Sequence, residues 1–166
     1  MLHLTVNIKH KCILAMLYSC GLRRSELINM KLEDIDSQRM LVKIRKGKGN
    51  NDRYVQLANP SLELLKIYFK EYRPIEWLFE GKPGVSYSAE SVVKVVKQAS
   101  ARAGIRKRVT PHVLRHSFAT HHLEQGTDLR YIQEFFGHKN SKTIERYTHV
   151  SQANLNNFRI PIDGLL

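Results

Sequence analysis

Six side chains in this chain have types and surroundings suited to chemistry: Arg23, Lys48, His112, Arg115, His138 and Tyr147. In "GLRRSEL", Arg23 follows a helix-breaking glycine and Glu26 lies three residues on. A loop arginine steadied by a carboxylate makes a good phosphate ligand, because its planar fork matches two oxygens. Alone the signal is weak, since surface Arg–Glu pairs at helical spacing are common. In "RKGKGNNDR", Lys48 stands between glycines on a turn, from which an ammonium can swing in and protonate a leaving alkoxide. A solvated turn lysine is the commoner case, and the phosphate-loop pattern GxxxxGK[ST] does not occur. "PHVLRHSFATHH" puts His112 and Arg115 at i and i+3 on a helix, and His116 at i+4 from His112. The two histidines could meet one metal ion, but no acidic or cysteine third ligand sits at a recognised spacing, and Arg115 would repel a dication. His121 and His122 read as solvated. In "GHKNSKTIERYTHVS", His138 follows Gly137, and Tyr147 lies nine residues beyond it on a short helix. A phenol with a pKa of about 10 is mostly protonated at neutral pH, so Tyr147 alone is an ordinary tyrosine.

Together these groups say more. Two arginines, a lysine, two histidines and a tyrosine supply forks for non-bridging oxygens, proton carriers and a nucleophile. The set contains no carboxylate pair of the glycosidase kind and no Ser–His–Asp order for acyl transfer. It suits transfer of a phosphoryl group that carries negative charge through its transition state.

Composition agrees. Lys and Arg number 27 against 15 Asp and Glu, giving +12 and a pI near 9.9. A domain this basic commonly has a polyanionic partner. No apolar run approaches about 18 residues, so no transmembrane helix is expected, and no basic amphipathic helix with bulky anchors suggests a membrane surface. "MLHLTVNIKHK" has neither the apolar stretch nor the cleavage site of a signal peptide. Cys12 and Cys20, eight residues apart on one helix, are separated by about 12 Å of rise, too far for a disulfide. They read as small buried hydrophobes in a reducing compartment.

The elements that must position these groups form a mainly α chain with one small antiparallel β-hairpin, in a single domain over residues 1–166. Residues 7–20 read as an amphipathic helix ended by Gly21, and "SELINM" as a short helix opened by Ser25. "DID" is a turn. "MLVKIRK" and "RYVQL" alternate as hairpin strands around "GKGNND", with Lys48 at the tip. "NPSLELLKIYFKEY" is a helix started by Asn59 and Pro60, and "EGKPGVSYS" a loop. Residues 89–103 form a helix with Val92, Val93, Val96 and Ala99 inside and Gly104 as its stop. "IRKRVT" is an extended basic connector. Three helices follow: "PHVLRHSFATHHLEQG", "TDLRYIQEFFG" capped by Thr127 or Asp128, and "SKTIERYTHVS" capped by Ser141. A tail from about residue 152 to 166 ends in apolar residues broken by Pro161 and Gly164.

The order Arg, Lys, His-x-x-Arg, His, Tyr resembles the tyrosine recombinases, the phage integrase family. "GLRRSEL" is similar to the family's first arginine box and "GKGNNDR" to its hairpin lysine. "HVLRHSFATHHLEQGTDLRYIQEFFGHKNSKTIERYTHV" is similar to its second box almost throughout. The resemblance spans residues 10–165 and implies the family's catalytic-domain fold. It implies that Tyr147 attacks a phosphodiester of double-stranded DNA, leaving a 3′-phosphotyrosyl link and a free 5′-hydroxyl. Arg23 and Arg115 would clamp the non-bridging oxygens, Lys48 would protonate the leaving oxygen, His112 would act as general base or phosphate donor, and His138 would hydrogen-bond the phosphate. Glu26 would orient an arginine. No cofactor and no metal is implied. The resemblance further implies a tetramer on DNA, with the tail, through Leu155, Phe158, Ile160 and Ile162, packing into a neighbour or folding back on its own domain. It also implies a monomer when free and a cytoplasmic, nucleoid-associated protein. Family members usually carry an N-terminal helical domain that clamps the other face of DNA; with Met1 only about 20 residues before Arg23, that domain is expected to be absent. "EFFGH" stands where Leu-Leu-Gly-His is common. Two neighbouring readings share parts of the pattern. A DNA-binding regulator that had lost catalysis would lack one of the six groups, and a type IB topoisomerase-like relaxase would share the chemistry.

Overall fold

The computed structural model describes residues 1–45 and 52–136, with Leu129, Gln133 and Glu134 described for their backbone alone. Lys48, His138, Tyr147 and the tail therefore lie outside the described residues. So does the third helix of the last set, with Ser141.

Helix α1 (Ile8–Ser19) is the axis of the fold. Asn7 caps it, its side chain accepting the His10 N–H at 3.0 Å. The sequence suggests one apolar face, yet every residue from Cys12 to Leu17 is at most 2 % exposed. The cause is that α1 is covered on several sides, by α3 (Asn59–Tyr72), α4 (Ala89–Arg102) and α5 (Pro111–Glu124). A helix apolar all round is a buried one. Both cysteines are free and buried, and burial pushes both thiols up to about 12.

Gly21, at φ +54°, turns the chain out of α1 into α2 (Arg24–Ile28), and Leu22 is fully buried beside it. "DID" is not a free turn. A single 3-10 turn at Leu32–Asp34 leads into β1 (Ile35–Asp36), the outer strand of an antiparallel sheet ordered β1-β2-β3. β2 (Leu41–Ile44) and β3 (Arg53–Gln56) pair with Leu41 opposite Gln56 and Ile44 opposite Arg53. Val42, Ile44 and Val55 point into the core, and Tyr54 points out. The alternation places Arg53 on the core side with Val55.

"EGKPGVSYS" also holds structure that its Gly and Pro content conceals: β4 (Glu80–Lys82) pairs with β5 (Val85–Ser86). The organiser is the Glu80 carboxylate. It accepts N–H groups from Ile75, Glu76, Trp77 and Gly84 at 2.8 to 3.2 Å. In α4 the inward residues are Val92, Val95, Val96 and Ala99, with Val93 half-buried rather than inside.

α5 begins at Thr110, whose hydroxyl accepts the Val113 N–H, with Pro111 in the first turn. α6 (Leu129–Phe135) follows, and Asp128 accepts the Arg130 N–H at 2.8 Å near its start. Phe118 of α5 packs with Ile132, Phe135 and Phe136 in a second cluster against Gly21. The architecture is mainly helical with small antiparallel sheets, as the sequence suggests.

A carboxylate ringed by arginines

The candidate site gathers on Glu26. Gly21 ends α1, Arg23 caps α2, and Glu26 occupies the third position of that helix. From there its carboxylate reaches back to accept the Arg23 N–H at 2.8 Å, a one-way cap fixed by the spacing of the two residues. The same carboxylate takes the Arg23 Nη1 at 3.2 Å, and Arg115 Nη1 lies 3.6 Å away. Its strongest partner is one the sequence reading does not single out. Arg53 donates Nη1 to Oε1 at 2.7 Å and Nη2 to Oε2 at 2.9 Å, a two-pronged ion pair.

The pair of Arg53 and Glu26 is nearly dry, with side chains 9 % and 8 % exposed. Burial by itself would push the Glu26 carboxyl up. The Arg53 hydrogen bonds and charge, the Arg23 N–H and the Arg115 charge outweigh it and hold the group below the usual carboxylate range. Three guanidinium groups thus share one carboxylate, so two positive charges in the cluster are left without a partner charge among these four groups.

Arg115 is 6 % exposed. Its Nη1 donates to the Gly21 carbonyl at 2.5 Å and its Nη2 to the Phe136 carbonyl at 3.3 Å, while the Phe136 ring lies 4.0 Å from its Cζ. Burial above all, and then the Arg23 charge, lower its pKa to about 10, Glu26 working the other way. It remains a cation at neutral pH. Arg23 is the open member, its side chain 45 % exposed. A buried, rigid arginine beside an open one, with surplus positive charge, is an arrangement that can bind an anion such as a phosphodiester.

Of the sequence-predicted residues, the structure brings together Arg23, Glu26 and Arg115. His112 sits exposed on the first turn of α5 and makes no hydrogen bond with another described residue. His116 is exposed as well. Among the described residues no group of His, Cys, Asp or Glu could hold a metal ion. The pair at the end of α5 does not match its solvated reading. His122 is 1 % exposed, its ring against Phe118 and its Nδ1 3.4 Å from the Thr127 hydroxyl, and burial lowers its pKa to about 4. His121 is exposed, but its Nδ1 is 2.5 Å from the Tyr18 hydroxyl of α1. The signal that could have found Arg53 is the strand alternation: in "RYVQL" it shares a side with Val55 and Leu57.

The sequence profile of the phage integrase family matches residues 2–154, and the chain belongs to that family. It is 42% identical over 154 residues to tyrosine recombinase XerD of Staphylococcus saprophyticus, covering 89% of this chain and 52% of the relative. Among solved structures, XerA recombinase superposes with a TM-score of 0.78 at 32% identity, over 93% of this chain and 57% of that one. The XerH recombinase bound to its difH substrate superposes with a TM-score of 0.71 at 28% identity, over 92% of this chain and 46% of that one. The chain spans about half the length of the curated relatives it matches.

Proposed function

We propose that this chain cleaves and rejoins double-stranded DNA as the catalytic domain of a site-specific recombinase. The observation that carries the reading is the arginine ring on Glu26: an open Arg23 and a buried Arg115 held by one carboxylate, with positive charge to spare. The basic balance of +12 and the family membership support it.

In this mechanism the Tyr147 phenol oxygen attacks the phosphorus and the bond to the 5′-oxygen breaks. The phenol proton passes to His112, and Lys48 gives a proton to the departing oxygen. Arg23, Arg115 and His138 hold the charge on the non-bridging oxygens. The 3′-phosphotyrosyl link conserves the bond energy, so a second strand's 5′-hydroxyl can reverse the step and complete the exchange. The protein works as a tetramer on DNA, with the tail reaching a neighbouring protomer, is a monomer when free, and acts at the nucleoid in the cytoplasm. No helix among the described residues is long and apolar enough to cross a membrane.

The test is covalent trapping. A pool of nicked duplexes, randomised around the nick, is incubated with the protein and resolved on a denaturing gel. Wild type is expected to give a protein–DNA adduct and Tyr147→Phe none. DNA binding that falls steeply with salt while no duplex yields an adduct would leave a DNA-binding regulator as the better reading. Relaxation of supercoiled plasmid without strand exchange would instead point to a topoisomerase-like relaxase.

A further inference from the structure

Arg53 is absent from the set of residues that chemistry and spacing select, yet it is, with Arg115, one of two buried arginines in the described structure. It is 9 % exposed, on the core side of β3. Three of its donors are spent on two partners. Nη1 and Nη2 grip the two oxygens of Glu26, and Nε donates to the Phe135 carbonyl at 3.0 Å. Phe135 is the last residue of α6, where helix carbonyls lack intrahelical partners and carry partial negative charge. Arg115 takes the next carbonyl, that of Phe136. The two buried arginines therefore cap the end of α6 side by side.

The connections run to three parts of the proposed site. Through Glu26, Arg53 fixes the carboxylate that also receives Arg23 and lies beside Arg115. Through Phe135 it holds the end of α6, whose next carbonyl, that of Phe136, is held by Arg115. Through its own backbone it belongs to the strand that follows Lys48 by five residues. Only a planar fork with separate N–H vectors can satisfy a carboxylate and a carbonyl at once; a lysine ammonium is a point donor on a flexible stem.

We infer that Arg53 is a positioning residue for DNA cleavage, which sets the Glu26 carboxylate and the end of α6 in register so that Arg23 and Arg115 meet the same phosphate. It touches no reacting atom, and it acts through Glu26 and the Phe135 carbonyl. The inference rests on the strand-transfer reading.

A double-mutant cycle with the full chain tests it. Single-turnover adduct formation on the nicked-duplex pool is measured for wild type, Arg53→Lys, Glu26→Gln and the double variant, at saturating DNA, with melting curves and DNA affinity in parallel. Arg53→Gln, which keeps one amide donor, is run beside Arg53→Lys so that two different folds of the side chain report. The expected result is a cleavage rate constant lower by roughly 10- to 100-fold in Arg53→Lys, as for a misplacement of about 1 Å. DNA affinity is expected to change by less than about threefold, and the double variant to be no slower than the slower single variant, because the two residues act as one unit. Wild-type cleavage rates in Arg53→Lys overturn the inference. So do multiplying effects in the double variant, a loss confined to affinity, or failure of both Arg53 variants to fold at the assay temperature, which would make the role purely structural. Wild type forming no adduct overturns the strand-transfer reading itself, and this inference with it.

Discussion

Two buried glutamates, Glu26 and Glu80, do opposite things with the same functional group. Both carboxyls are held below their usual range although burial would raise them. Around Glu80 the donors are four backbone N–H groups, which are neutral, and the product is a fixed loop between α3 and α4. Around Glu26 the donors include two guanidinium groups, those of Arg23 and Arg53, with the Arg115 guanidinium 3.6 Å away, and the product is a fixed surplus of positive charge. Neutral dipoles satisfy an anion and leave nothing over; cations satisfy it and leave a site for another anion. That difference, not burial or pKa, separates a carboxylate that only fixes a loop from one that can organise the proposed anion site.

The sharpest way to break the comparison is to remove the surplus charge. Arg115→Ala is expected to lower the adduct-forming rate by roughly 10²- to 10³-fold in single-turnover cleavage. If the rate is unchanged, the Glu26 cluster is no more functional than the Glu80 loop. Next come the matched neutral variants. Glu80→Gln is expected to cost about 2 kcal/mol in urea unfolding while cleavage of saturating DNA stays at the wild-type rate. Glu26→Gln is expected to slow cleavage about tenfold; equal kinetic effects from the two would erase the distinction.

The pH dependence of stability sharpens it further. Each carboxyl is lower in the folded state than unfolded, so each contributes stability that is present above the ordinary value near 4.5 and is lost as pH falls through the folded value. His122 adds a contribution in a different window. Its folded pKa of about 4 lies below the ordinary 6.5, so the folded state binds fewer protons there and stability falls as pH drops from 6.5 toward 4. Urea unfolding measured across that window is expected to lose up to about 3 kcal/mol, a loss that His122→Phe would flatten while leaving the carboxylate-driven fall below pH 4.5. The smallest effect belongs to an exposed pair. Glu63→Ala removes the bond to Lys66 at 2.7 Å between side chains 65% and 60% exposed, and is expected to change stability by about 0.5 kcal/mol or less.

How much was legible beforehand varied with how local each feature is. α3 runs from Asn59 to Tyr72, the stretch read from its opening Asn-Pro, because helix starts are written in adjacent residues. The β2–β3 hairpin was legible from alternation. The β4–β5 hairpin was not, since its stability comes from Glu80 gathering N–H groups on both sides of it rather than from strand-forming residues. Likewise α1 looked one-sided because its surroundings, three other helices, are far away in sequence.

What the sequence alone determined is the list of reactive types, their order, the closeness of Glu26 to Arg23, and the family. These depend on residue identity and on spacings of a few residues, which local geometry translates directly. What only the tertiary structure decided is who surrounds whom. Arg53 lies 27 residues from Glu26 and 82 from Phe135, and Arg115 lies 94 from Gly21. His122 is buried while His112 stays exposed, although both are histidines of one helix. Charge-pairing and desolvation act across such distances only after the core has brought the strands and helices together.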